Sequence, residues 1–142
     1  VLNTIVVALE SSDLGDRVIE TVQQLQLSPG VKIILAHVIS TSDSDLEIAA
    51  DRPQSEAEAT PYRHIEKQLQ AYQAKLPFQS ELEIVTGDPA EEIIRLANIY
   101  HADLIAIGTR GLTGVKRILQ GSVSSQVVEN ASCSVLVVKP IG

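Results

Sequence analysis

Five apolar runs rich in branched residues recur along the chain, at Thr4 to Leu9, Val31 to Ile39, Leu82 to Thr86, Leu104 to Ile107 and Val135 to Val138. Branched side chains pack well on a pleated surface, so these runs read as strands. Between them the apolar residues shift to helical spacing: Leu14, Val18, Ile19, Val22 and Leu25; Ile65, Leu69, Tyr72 and Leu76; Ile93, Ile94, Ala97 and Tyr100; Val123, Val127, Val128 and Ala131. Strand and helix therefore alternate from end to end. Regular alternation with nearly continuous apolar strands is the pattern of a parallel sheet covered by helices on both faces. The expected fold is α/β, a single doubly wound domain over residues 1–142 with a five-stranded parallel sheet. Leu82 and Ile84 alternate with Glu81 and Glu83, which suits an edge strand with one wet side, whereas the first, second and fourth strands read as central. Strand order is not legible from these patterns.

Helix starts carry their own signals. Asp88-Pro89-Ala90-Glu91 places an acceptor at the cap, a proline in the first turn and a carboxylate three residues after the cap. Thr60-Pro61 repeats the cap-and-proline device, and Ser12 or Asp13 can cap the first helix. Residues 40–59 have no sustained period and are rich in Ser, Asp, Glu and Ala, so the segment reads as a long mobile loop.

The 142-residue length suits one core, and a single cysteine, Cys133, excludes a disulfide scaffold. No apolar run approaches the roughly 18 residues of a membrane span, and no basic start or small-residue cleavage site marks a secretory signal, so a cytoplasmic setting without membrane contact is expected. Eleven Lys and Arg against 18 Asp and Glu give a net charge of −7, which repels a phosphate backbone, and 3% aromatics is too few for a base-stacking platform. Nucleic acid is therefore not an expected partner.

In an open parallel sheet, ligands bind beyond the carboxyl ends of the strands. The most unusual such end begins at Gly108 and reads GTRGLTGVKRILQGSVSS, with glycines at 108, 111, 114 and 121 and with Ser122 and Ser124 opening the last helix. Glycines let backbone N–H groups approach phosphate oxygens, and the amides of a helix start add positive potential. Arg110, Lys116 and Arg117 make the local charge opposite to that of the whole. The same residues also serve an ordinary strand-to-helix connection, with turn glycines, a capping Ser122 and solvated cations. Chemistry by itself leaves both readings open. Neither G-x-G-x-x-G after the first strand nor a Gly-Lys-Ser/Thr loop is present, so the chain is neither a dinucleotide-fold nor a P-loop protein.

His37, His64 and His101 have no metal-ligand spacing, and His37, at the second strand end, reads as a hydrogen-bonded structural residue. Cys133 reads as a buried apolar thiol, and Ser122 lacks a hydrolase elbow. No catalytic constellation and no metal site can be named.

The glycine pattern, met as G-x-x-G-x9-G-[ST] by Gly108, Gly111, Gly121 and Ser122, resembles that of the universal stress proteins, ATP-binding branch. Leu35-Ala36-His37-Val38, Gly87-Asp88-Pro89, Ala102-Asp103-Leu104-Ile105 and Cys133-Ser134-Val135-Leu136-Val137-Val138 extend the resemblance over nearly the whole chain. It implies that Ala8, Leu9 and Glu10 line the adenine and ribose side, with Val38 packing on adenine. Ile107, Gly108 and Gly111 would hold ribose and phosphates, joined at the phosphates by Gly121, Ser122, Val123 and Ser124, and the local cations Arg110 and Lys116 would meet phosphate charge. The family usually carries Asp where Glu10 stands, so the carboxylate head sits about one carbon–carbon bond further out. The implied ligand is ATP or AMP, with any Mg2+ held by the phosphates, and the implied role is that of a stress-response sensor or adaptor. A slow ATPase or phosphotransferase and a nucleotide-free interaction module are the alternatives. The apolar, uncharged run at Val135 to Val138 further predicts a homodimer through the last strand.

Overall fold

The computed structural model describes residues 2–10, 12–40, 54–109 and 123–139. Strands β1 (Thr4–Ala8), β2 (Lys32–Ser40), β3 (Gln79–Gly87), β4 (Leu104–Gly108) and β5 (Ser134–Val138) alternate with helices α1 (Ser12–Gln24), α2 (Gln54–Lys75), α3 (Pro89–Ile99) and α4 (Val123–Asn130). The strands form one sheet in the order β3-β2-β1-β4-β5, and every neighbouring pair is parallel. β1 is the pivot: β2 and β3 lie on one side of it, β4 and β5 on the other.

Alternation along the inner strands explains their unbroken apolar runs. Ile5, Val7 and Leu9 join a core with Val18, Ile19 and Val22 of α1 and Leu69 and Tyr72 of α2. Val6 and Ala8 face the other way, into a core with Ile93 and Leu96 of α3 and Val127 of α4. Ile33, Ile34 and Leu35 of β2 are fully buried, and burying each contributes on the order of 1.5–3 kcal/mol relative to exposure. Both faces are thus dry at the centre of the sheet.

β3 is an edge strand, as its alternation predicts. Leu82 and Ile84 pack on the α1–α2 side, while Glu81 on the other pairs with Lys32 Nζ at 2.9 Å and accepts from the Tyr100 hydroxyl at 3.2 Å. The hydrogen bond from Lys32, then that from Tyr100, holds the Glu81 carboxyl below the usual carboxylate range. Tyr100 also donates to Glu83, and chiefly for that reason its phenol titrates well above the ordinary tyrosine value. The strand extends from Gln79, three residues before the expected Leu82, because a polar edge start carries little apolar signal.

α3 begins as its cap predicts: Asp88 Oδ2 accepts from the Glu91 amide at 3.1 Å, and Pro89 occupies the first turn. It ends in a paired return, with the Ala102 amide donating to the Ala97 carbonyl at 2.8 Å and the His101 amide to Asn98 at 3.3 Å. His101 takes φ 54° there, a conformation that favours glycine.

The start of α2 differs from expectation. The helix begins at Gln54 and runs through Pro61, so 54–59 belong to it rather than to a 40–59 loop. Gln54 to Ala59 includes Gln, Glu and Ala, which are strong helix formers without an apolar period, and that combination hides a helix from a periodicity reading. Residues 41–53 lie outside the described residues.

Candidate functional site

β1 and β2 end side by side. The Leu9 amide donates to the Ala36 carbonyl at 2.8 Å, and beyond this rung the two chains border a cleft of about 350 Å³, near the lower end of the roughly 300–1,000 Å³ range of small-molecule sites. Ala8, Leu9 and Glu10 form one wall, and residues 36–40 of β2, including His37 and Val38, form another. Ile65 of α2, Pro89 and Ile93 of α3 and Val123 of α4 complete it.

Each helix arrives there for a local reason. Only Asp88 separates β3 from α3, and Gly87, the last residue of the strand, takes φ +153°, with Glu92 packed so closely that an added Cβ would lie 2.9 Å from its Cγ. That tight turn sets Pro89 over the end of β2. Val123 opens α4, so the positive end of that helix borders the cleft.

Of the residues expected at a nucleotide, Ala8, Leu9, Glu10, Val38 and Val123 come together in this cleft. Ser124, on the first turn of α4, is buried with 8% exposure. Ile107 is fully buried in the α3–α4 core and does not line the cleft, which leaves its backbone as the part able to meet a ligand. Gly108 ends β4, where a Cβ would stand 2.5 Å from Leu14 Cγ, so this glycine has a packing reason of its own. Arg110, Gly111, Gly121 and Ser122 lie outside the described residues, as do Gly114, Lys116 and Arg117.

Sequence reasoning did not place Pro89, Ile93 and Ile65 at the site. Gly87-Asp88-Pro89 carried the signal for the first of these, whereas Ile93 and Ile65 read as ordinary core positions. His37 Nδ1 lies 2.7 Å from the Leu9 carbonyl oxygen, so the histidine is hydrogen bonded as expected. Cys133 is partly buried before β5, and burial pushes its thiol above the ordinary value, which suits an unreactive side chain.

The cleft combines apolar surface from Ala8, Val38, Pro89 and Ile93 with one carboxylate, Glu10, and a helix start. Such a donor set fits a flat apolar ring bearing hydroxyl and anionic groups. Among the described residues no group of three or more His, Cys, Asp or Glu side chains could hold a metal ion. No helix among them is long and apolar enough to cross a membrane.

A parallel sheet in the order 3-2-1-4-5, with helices on both faces and a cleft beyond its carboxyl ends, defines a doubly wound α/β ligand-binding class of domain. The family model of the universal stress proteins matches residues 2–139. The chain belongs to that family.

Relatives and solved structures agree with this placement. The chain is 29% identical to universal stress protein Sll1388 of Synechocystis over 95% of its own length and 96% of the relative's. It is 54% identical to universal stress protein MJ0531 of Methanocaldococcus jannaschii over 57 residues, which span 40% of this chain and about a third (34%) of that relative. The solved structure of hypothetical protein MJ0577, from the same organism, superposes with a TM-score of 0.82 at 26% identity, covering 99% of this chain and 98% of that one. Two more distant structures share the fold: a universal stress protein in complex with cAMP, at TM-score 0.70 and 23% identity over 99% of this chain and 98% of that one, and an Arabidopsis thaliana family protein with AMP bound, at 0.65 and 21% over 99% and 93%.

Proposed function

We propose that this universal stress protein binds an adenine nucleotide, AMP or ATP, in the cleft at the carboxyl ends of β1 and β2, and acts through that binding as a cytoplasmic sensor or adaptor in the stress response. The observation that carries the reading is the meeting of Ala8, Leu9, Glu10, Val38 and Val123 around one cleft. They come from three separate stretches of the chain, and the family resemblance groups the same positions at the ligand. The family members that hold AMP and cAMP support an adenine nucleotide as the ligand class.

In this reading the base lies on the apolar wall near Val38, and the Glu10 carboxylate accepts from ribose hydroxyls. The phosphates extend toward the start of α4 and the glycines at 111 and 121, with Arg110 balancing their charge. Mg2+, where present, is held by the phosphates. A carboxylate that accepts from ribose is engaged in binding, which favours a sensor over a rapid hydrolase. The β5 edge is the proposed homodimer contact, because Val137 is 37% exposed on a strand with no charged residue.

Mass spectrometry of freshly purified, denatured protein tests the reading. Retained AMP, ATP or cAMP supports it. A protein that carries none, and that shows no heat of binding with any of the three, is instead a nucleotide-free interaction module. Phosphate release at ordinary enzyme rates, lost in Glu10→Gln, would favour the ATPase alternative.

A further inference from the structure

His37 does more than satisfy its own ring. The backbone rungs between β1 and β2 run in a regular offset: the Lys32 amide donates to Asn3 at 2.8 Å, and the Leu9 amide donates to Ala36 at 2.8 Å. Carried along the strands in two-residue repeats, the offset of the first rung sets the Val38 amide opposite the Leu9 carbonyl. At that oxygen a side chain supplies a donor, His37 Nδ1 at 2.7 Å. A carbonyl oxygen only accepts, so the partner assigns the proton to Nδ1.

This bond sits where the cleft opens. Leu9 and Glu10 line one wall and Val38 to Ser40 the other, so a tie from β2 to the Leu9 carbonyl governs how far the two chains separate. Alternation along β2 places Ile33 and Leu35 in the α1–α2 core and Ile34 and Ala36 in the α3–α4 core. His37 therefore leaves on the α1–α2 side and braces β1 from that side. There the ring shares a small recess with Glu10, Gln68 and Tyr72, closed by α2.

We propose that His37 is a positioning residue of the nucleotide site: its Nδ1–H holds the Leu9 carbonyl and so sets the direction in which Glu10 leaves β1 and the separation of the two cleft walls. The proposal rests on the nucleotide reading above and adds to it a role for the cleft residue whose ring also reaches the recess closed by α2. A positioning role through one donated hydrogen bond differs from packing in what restores it. Asparagine carries an amide N–H close to the position of Nδ1 and lacks the rest of the ring, whereas alanine lacks both.

Two measurements test it. In nucleotide-free protein, nitrogen-15 spectra of the imidazole should place the neutral His37 proton on Nδ1, and a proton on Nε2 overturns the proposal. Calorimetry with ATP should then find His37→Ala weaker by at least about tenfold and His37→Asn within about threefold of wild type, as expected for a single hydrogen bond. Asn as weak as Ala, with wild type binding normally, overturns the role of His37 alone. Wild-type protein that binds no nucleotide overturns the underlying reading and the positioning role with it. If the Ala variant does not fold, the tautomer and the Asn variant still decide.

Discussion

Leu14 fills the space that a side chain on Gly108 would need: an added Cβ would stand 2.5 Å from Leu14 Cγ and 2.9 Å from both methyl carbons. The first glycine of the G-x-x-G-x9-G-[ST] pattern therefore packs α1 against the end of β4. Gly108→Ala should destabilise the fold by about 1–3 kcal/mol through overpacking, measured by urea denaturation. Leu14→Ala in the same chain should recover part of that loss, because removing the isobutyl group opens the space. A double variant whose loss equals the sum of the single losses would separate the two residues.

Charge at the phosphates is tested by Arg110→Ala. The variant should weaken ATP binding more than adenosine binding if Arg110 acts as proposed, since only ATP carries phosphate charge, and the difference should shrink as salt rises. Calorimetry at two ionic strengths checks it. Equal loss for both ligands would move Arg110 away from the phosphates.

The β5 edge makes a prediction about assembly. Val137→Lys places a charge on an otherwise apolar edge, and light scattering should show wild-type dimers replaced by folded monomers. A wild type already monomeric at micromolar concentration, or a lysine variant still dimeric, rejects the contact.

Asp103 links the start of β1 to the approach to β4. Its Oδ2 accepts from the Asn3 amide at 2.8 Å and from Thr4 at 3.1 Å, and these bonds, Asn3 first, hold its pKa below the ordinary 3.8. A depressed folded pKa gives stability that is fully present above the unfolded value and is lost as pH falls through the folded one. Asp103→Ala should therefore cost stability at neutral pH, and the gap from wild type should close below about pH 4, in the acid range where the wild-type carboxylate is protonated. Denaturation curves from pH 7 to 2 measure it, and a gap independent of pH would contradict it.

His101→Gly should stabilise the protein by about 0.5–1 kcal/mol, because glycine takes the positive φ after α3 without the steric cost that histidine bears. Thermal unfolding reads the change. A loss of stability would mean that the histidine side chain contributes more than its backbone costs.

The fold class was legible because alternation of β-branched runs with helical spacing depends on local properties: side-chain shape, apolar period and the cap at Asp88-Pro89. Edge character was legible at β3 for the same reason, since Glu81 and Glu83 alternate with Leu82 and Ile84. The α2 start was not, because Gln54 to Ala59 is helical by intrinsic preference and carries no apolar period. At the site, the residues of the glycine pattern were visible as a motif, and Glu10 and Val38 were visible only through family resemblance.

What the sequence determined by itself was the kind and succession of elements, because each is selected by interactions among residues near one another in the chain. Strand order, the cleft between β1 and β2, the entry of Pro89, Ile93 and Ile65, and the bond from His37 to the Leu9 carbonyl were decided only in three dimensions. Residues 9 and 37 are far apart in the chain, and no local preference encodes their distance. They meet because burying both faces of the sheet sets β2 beside β1 in one register, where a shift by one residue would turn Ile33 and Ile34 to opposite cores.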